Sequence, residues 1–564
     1  MPSHDGRFYI TFNGEIYNYK DLRSGLVKQG HKFITQSDTE VILELYRAYG
    51  WQGFEKLRGM FAFALWDLQK QEGVLVRDPL GIKPLFIQHE ADSLNFASEA
   101  KALLAKNNDT GQLNPTALHL LMNFRYLPGE HSLFQGITQL APGRVIQWNS
   151  SGKAEEQRLQ PNFTVSTPPL DTLRDSIQAH FTADVEVGAY LSGGIDSACV
   201  VALGKEMTPQ PLRTFTLRAG DDPNEAVYAA QTSEILGVQN IQGEINCSLA
   251  TELPQMVWHL ETPKINALQV GLLAQLTSRH VKVALSGLGG DELFYGYNAH
   301  KVMLKAQQIN HLIPNTLSHS AGKIGSHILA SLNKPIWTES ERALQMLQHL
   351  GDWSLVYGLL RNIWDQPKMR PLIYGPRMLD QQLPNAFGEI ENHWPDNADP
   401  LTAMAQFEFK NKMVNDLLWQ EDRMSMAAGL EVRVPFVDYV FASQIQRMDR
   451  SELMPNNQLK GYMRTMLAGT LPTEILNRPK SGFQVSSPDF FHLHLKPLAE
   501  NYLSKDRIIK YGLFNPAFVA QVLHLTPSIR LRWHYFILYL MLLTHIWIDL
   551  FELKGEHMRK PIKL

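Results

Sequence analysis

Hydrophobic and polar positions follow two regimes along this chain. Near the start, Phe8 to Phe12 alternates with period two, as a half-buried strand does, and runs into Asn13-Gly14, a turn signal. Helical spacing follows from Asp21 to Gln29. Ser37-Asp38-Thr39-Glu40 then reads as the cap of a helix from Thr39 to Tyr49. Phe61 to Leu68, F-A-F-A-L-W-D-L, is a further strand. Pro142-Gly143 makes a turn. Polar residues from Asn149 to Pro169, broken by Pro161, Pro168 and Pro169, read as a linker. Beyond it strands and helices take turns. Val185 to Leu191, Leu212 to Leu217, Gln239 to Ile245 and Val281 to Leu285 are strand-like. Ala198 to Met207, Asn224 to Leu236 and Gln269 to Arg279 have helical spacing. That alternation predicts a parallel α/β domain, in which ligands sit beyond the carboxyl ends of the strands. Near the end, Trp533 to Phe551 is almost continuously apolar. His534, His545 and Asp549 interrupt it, which favours a buried helix over a membrane span.

The chemistry concentrates where the first strand of the second half meets its helix. Leu191 to Ser197 reads L-S-G-G-I-D-S. Gly193 and Gly194 allow a sharp turn and close approach to a ligand. The hydroxyls of Ser192 and Ser197 meet free backbone N–H groups at a helix N-terminus, where phosphate is favoured. Asp196 would repel that phosphate unless a cation stood between them, so Mg²⁺ is implied. S-G-G alone is also an ordinary glycine turn; the full motif after a strand points to phosphate. It resembles the pyrophosphate loop of ATP pyrophosphatases. Ser286 opens a second glycine-rich stretch, S-G-L-G-G-D-E-L-F-Y-G-Y, which read alone is a turn capping a helix.

Composition narrows the class. The 564 residues are 44% hydrophobic and 19% charged, which suits two or three ordinary globular domains. A formal net charge of -3 argues against a general nucleic-acid or membrane partner. The two cysteines, Cys199 and Cys247, form no C-x-x-C or Cys/His cluster. No disulfide framework or zinc site is expected, and a reducing cytoplasm fits. The N-terminus lacks an apolar signal core.

The order of the fragments carries a family resemblance. N-G-E-I-Y-N from Asn13, S-D-T-E from Ser37, G-x-F-A-F-A-x-W-D from Gly59, R-D-x-x-G-x-K-P-L from Arg77 and F-A-S-E-x-K-A-L from Phe96 come in sequence. Together they resemble the class II glutamine amidotransferase domain that precedes the pyrophosphate loop in glutamine-dependent asparagine synthetases. The resemblance implies a truncated Ntn-hydrolase-type αββα domain. It is followed by an adenine-nucleotide α-hydrolase-like parallel α/β domain with a helical C-terminal region. The expected division is 1–148, a linker at 149–169, a synthetase domain at 170–552 and a tail at 553–564.

Roles follow from the same resemblance. Asn13 and Gly14 would form the oxyanion hole for glutamine hydrolysis, with Glu15 in the glutamine pocket and Asp38 on the glutamine ammonium group. Both choices suit the chemistry. Leu191 to Gly194, Asp196 and Ser197 would hold the ATP phosphates. Backbone at Leu217, Ser286 and Gly287 would hold adenine and ribose. Asp196 and Asp291 would share Mg²⁺, and Lys480 in R-P-K-S-G-F would reach the α-phosphate. The implied reaction is ATP-dependent amidation of aspartate through an acyl-adenylate, releasing AMP and pyrophosphate, with glutamine or ammonia as nitrogen source. Amidation of another carboxylate, such as a uronic acid or a peptide side chain, and a catalytically weak binding subunit are the alternatives. A homodimer is open to it. Asp422, Arg423, Glu431 and Arg433 in the stretch from Leu417 to Asp438 read either as scaffold behind the acceptor pocket or as a charge network on a helix face.

Two departures stand out. The family's glutaminase uses the thiol of an N-terminal cysteine. Here residue 1 is methionine, only twelve residues precede N-G-E-I-Y-N, and no cysteine occurs before Cys199. The chain as written is expected to keep a partial glutamine pocket without the nucleophile and to accept free ammonia; the same pattern also fits a start assigned too far downstream. Leu288 stands where most asparagine synthetases carry an acidic residue that helps deprotonate ammonia, which loosens the assignment of aspartate as acceptor.

Overall fold

The computed structural model describes residues 1–90, 93–105, 110–150, 154–218, 224–244, 248–330, 337–397, 399–478 and 488–553. Two sheets make the first half. One is antiparallel, in the order β1 (Phe8–Ile16), β2 (Gly59–Asp67), β3 (Glu72–Arg77), β7 (Arg144–Asn149), β8 (Ala154–Arg158). The other joins β5 (Ser93–Ala97), β4 (Phe86–Glu90) and β6 (Thr138–Gln139). Alternation decides which side each residue takes. Phe61 and Phe63 face a core with Val41, Ile42 and Leu45 of the helix Asp38–Tyr49. Ala62 and Ala64 face the other sheet with Leu75, Ile87 and Ile146. Phe86 turns away from that sandwich onto Ala100, Leu103, Leu118 and Leu121. The layers therefore run helix, sheet, sheet, helix, which is the αββα order.

Asn13-Gly14 does not turn. Both residues continue β1, opposite Ala62 and Phe61. Ser37 caps the helix as its sequence suggests, its hydroxyl accepting from the Glu40 N–H at 3.3 Å. The stretch read as a linker holds β8, which pairs with β7, and the next helix starts at Pro169.

In the second half the described residues build one sheet of five parallel strands. The order is β11 (Gln239–Glu244), β10 (Arg213–Arg218), β9 (Val187–Tyr190), β12 (Val283–Leu285), β13 (Glu431–Arg433). The chain winds outward from β9 in one direction, then returns to build on its other side. The carboxyl ends of β9 and β12 thus form a topological switch point. Helices cover both faces. Val200, Val201 and Leu203 of the helix Ile195–Gly204 meet Val187, Ala189, Val283 and Leu285, while Ala274 meets Tyr190, Phe215 and Ala284. The apolar C-terminal stretch is a helix, Arg532–Trp547, continued by Ile548–Glu552, and its most apolar window is 89% buried in the main core.

The two halves meet through charges. Arg58 donates to Asp438 at 2.8 Å and to Asp175 at 2.6 Å. Lys83 donates to Asp422 at 2.8 Å. Arg433 reaches Glu15 at 3.2 Å. Arg423 lies between Glu99 and Glu261. The acidic and basic residues around 422–433 are thus interface groups rather than a solvated helix face. His180 sits in this seam, its ring 4.2 Å from that of Tyr17, and its Nδ1 donates to the Ser176 carbonyl at 2.8 Å.

Burial lowers the pKa of His180 to about 4. A folded-state value below the unfolded 6.5 means that this group's contribution is complete above about pH 6.5 and lost as pH falls toward about 4. The melting temperature should fall across that window. His180→Asn keeps a donor near Nδ1 without the titrating ring, so its fall should be shallower. Equal slopes in differential scanning fluorimetry would refute this.

Candidate active site

The two glycine-rich stretches follow β9 and β12 and lie against each other at the switch point. In the first, the Ser192 N–H donates to Ser197 Oγ at 3.0 Å, the two serine hydroxyls are 2.9 Å apart, and the Gly194 N–H donates to Ser192 Oγ at 3.2 Å. The Leu191 N–H donates to the Phe215 carbonyl at 2.9 Å, and Thr216 Oγ1 to the Leu191 carbonyl at 2.6 Å, which places the carboxyl end of β10 and buried Leu217 beside the loop. In the second, the Ser286 N–H donates to the Arg433 carbonyl at 2.8 Å. A Cβ at Gly287 would stand 2.7 Å from the Ser197 nitrogen, and one at Gly290 would run into the Asp196 carboxylate. Only glycine lets the loops approach this closely.

Between the loops stands a residue to which no motif assigns a role. Lys460 Nζ lies 2.5 Å from Asp196 Oδ2 and 2.6 Å from Asp291 Oδ1. Its side chain is 9% exposed. Burial opposes the charge, but the Asp196 and Asp291 carboxylates outweigh it and hold the ammonium above its ordinary pKa. The Lys460 backbone is left-handed at φ 55°, and its N–H is anchored on the Phe294 carbonyl at 3.1 Å. The lysine lies far along the chain from both carboxylates, in N-N-Q-L-K-G-Y, which no local rule marks. Its positive φ, after those of Asn456 and Asn457, is the local sign of a side chain held for a purpose. Lys480 lies outside the described residues.

The donors suit a hard cation. Two carboxylates converge on one positive charge, and carboxylate oxygens with phosphate oxygens make the usual Mg²⁺ environment. Among the described residues no group of three or more His, Cys, Asp or Glu gathers into a cage. An ion here would be shared with the phosphates of a ligand.

Beyond Asp291 a polar cluster continues the site. Tyr297 Oη donates to Glu292, and Lys412 Nζ is 3.9 Å from both Glu292 and Asp416. Lys264 pairs with Asp416. Burial pushes the Lys412 ammonium below its ordinary pKa and the Glu292 carboxyl above its own. Leu288 stands at the near edge, partly buried against the apolar core. Lys264, Lys412 and Asp416 carry no motif in the sequence; only folding gathers them.

In the first half, Asn13 Nδ2 donates to Ser98 Oγ at 3.3 Å, and Asp38 Oδ2 accepts the Ile16 N–H at 3.0 Å. The motifs around 13, 38 and 98 therefore share one end of the sandwich. Gly14 has φ +148°, and a Cβ there would strike the Met60 carbonyl, so this position admits only glycine. Burial raises the Asp38 pKa, leaving a poorly solvated carboxylate that an ammonium group would satisfy. Glu15 is raised to about 7 by burial, with Arg433 opposing. It couples this end to the strand that supports Ser286.

Asp196→Asn and Lys460→Met each remove charge from the point where the two loops converge. Each should lower ATP-dependent pyrophosphate release by more than about a hundredfold. A variant that stays folded by circular dichroism and releases pyrophosphate at a near-normal rate would overturn this site.

The asparagine synthase family model matches residues 170–549, and a glutamine amidotransferase domain model matches residues 1–159. The chain is 32% identical over 532 residues to asparagine synthetase [glutamine-hydrolyzing] 1 of Bacillus subtilis, covering 91% of this chain and 81% of that one. It is 33% identical over 511 residues to a putative asparagine synthetase [glutamine-hydrolyzing] of Mycobacterium bovis, covering 86% and 76%. It is 27% identical over 506 residues to asparagine synthetase [glutamine-hydrolyzing] 3 of Bacillus subtilis, covering 84% and 75%. With two glycine loops at a switch point, and a match spanning most of its length, the chain belongs to the asparagine synthase family.

Proposed function

We propose that this protein is an asparagine synthase, a ligase that amidates the side-chain carboxylate of aspartate at the expense of ATP. The observation that carries the reading is the buried ammonium of Lys460 between Asp196 and Asp291, at the mouth of the S-G-G-I-D-S loop. The triphosphate would lie on the N-terminus of the helix Ile195–Gly204, held by Ser192, Gly193, Gly194 and Ser197. Adenine and ribose would rest on backbone at Leu217, Ser286 and Gly287. Mg²⁺ held by Asp196 and Asp291 would neutralise phosphate charge. An aspartate carboxylate oxygen bonds to the α-phosphorus, and pyrophosphate leaves. Lys460 offsets the negative charge that develops, and Lys480 reaches the α-phosphate in the family pattern. Ammonia then attacks the acyl carbon, and AMP departs as asparagine forms. The nitrogen would come from glutamine bound by Asn13, Gly14, Glu15 and Asp38, as the relatives' names suggest, or from free ammonia. The division at 1–148, 149–169, 170–552 and 553–564 remains our assignment of the two functions.

Leu288 supports one further reading, in which the acceptor is a different carboxylate. An apolar side chain at that edge cannot deprotonate ammonia.

Purified protein given ATP, Mg²⁺, aspartate and ammonium should form asparagine, AMP and pyrophosphate in equal amounts. ADP and phosphate as products would sink the adenylation reading. Leu288→Glu supplies a general base and should raise ammonia-dependent turnover with aspartate about a hundredfold. No gain would favour the other carboxylate.

A further inference from the structure

From residue 293 to residue 338 the sequence contains no aspartate or glutamate. This stretch holds two consecutive helices, Asn298–Leu312 and Asn315–Ala330, joined at Ile313-Pro314. The second helix is turned inside out. Its inward face is made of small residues: Ser318 is buried, a Cβ at Gly322 would stand 2.6 Å from the Leu344 carbonyl and the Gln348 nitrogen, and one at Gly325 would stand 2.7 Å from a Leu344 methyl. Its large apolar residues point out. Leu317 is 61% exposed, Ile324 62% and Ile328 58%. Their spacing of seven and four residues puts them on one face. The first helix adds exposed Val302 and Ile309, and the tip adds Leu312, at 81%, and Ile313. A helix packed on a domain normally does the reverse, and a row of exposed apolar residues of this kind points to an interaction site.

Charge selects the occupant. Lys301 and Lys305 on the first helix and Lys323 on the second are exposed beside the apolar face. The neighbouring acidic residues are already engaged: Glu292 is bonded by Tyr297, Asp399 accepts from Gln307 and pairs with Arg450, Glu339 faces Arg342 and Glu341 faces Lys368. Although the whole chain carries a net charge of -3, the hairpin itself has lysines and no carboxylate, and apolar residues in a row beside lysines match a surface that lies in the headgroup region of an anionic bilayer. A second copy docked face to face would set lysine against lysine with no carboxylate between them. We propose that this helical hairpin docks the enzyme peripherally on an anionic lipid surface. The first helix begins beside Tyr297, which bonds Glu292 in the site, and its 15 residues span about 22 Å. Docking by the tip would therefore hold the acceptor side of the site one helix length from the membrane. This holds whichever carboxylate is amidated.

Co-sedimentation of the full-length protein with vesicles tests the proposal. The protein should pellet with vesicles of equal parts phosphatidylglycerol and phosphatidylcholine. Binding should be at least about tenfold weaker to phosphatidylcholine alone, or in about 0.5 M salt. The double variant Ile324→Asp/Ile328→Asp should bind anionic vesicles at least about tenfold less, with ATP-dependent pyrophosphate release unchanged. Wild-type protein that stays in the supernatant, or a double variant that binds equally well, would overturn the proposal. So would light scattering that finds a dimer in the wild type and a monomer in the variant without vesicle binding, since the face would then belong to a second copy.

Discussion

The ammonium of Lys460 between two carboxylates is the constraint from which the architecture of the site follows. Asp196 and Asp291 stand in the first helical turns after different strands, and their mutual repulsion would drive those segments apart. A single buried cation reverses the sign of that interaction at short range. The approach it enforces leaves no room for side chains at Gly287, Gly290 or Gly296. The resulting loops present N–H groups, hydroxyls and a cation toward one point, which is what a triphosphate requires.

The seam between the halves uses ions for a comparable reason. Breaking a buried pair costs about 3–5 kcal/mol because the remaining charge is stranded, while an apolar contact of similar area slides more freely. Arg58, Lys83, Arg423 and Arg433 each have a carboxylate from the other half within reach, so the relative placement of the two halves is specified by direction as well as area. Arg433 is the most connected. Its guanidinium contacts Glu15 and Glu431 and donates to the His180 and Thr182 carbonyls, while its own carbonyl holds Ser286. The Asn13-Gly14-Glu15 end of the first half is thereby tied to the second glycine loop. The C-terminal helix secures the same seam from behind, with Trp547 Nε1 donating to the Glu261 carbonyl at 2.9 Å while the Glu261 carboxylate accepts the N–H groups of Ala100 and Lys101.

Periodicity by itself determined most of the fold. Alternation of strand and helix predicted the parallel sheet, because a parallel strand needs a crossover, and glycine between serines after a strand marked the loop that the fold sets at the switch point. The buried C-terminal helix was legible because ionisable residues interrupt an otherwise apolar run. Local signals failed where neighbours overrode them. Asn13-Gly14 reads as a turn, but nine residues of pairing with β2 keep it extended, and its glycine serves close contact with Met60 instead. Residues of the polar stretch read as a linker form β8, because an exposed edge strand needs no apolar pattern. Lys460, Lys412, Lys264 and Asp416 were illegible as site residues, since a lysine's meaning depends on which carboxylates surround it, and those arrive from distant segments. The outward face of the helix Asn315–Ala330 was equally hidden: the sequence shows that leucines and isoleucines recur there, but only packing decides which side of a helix is buried.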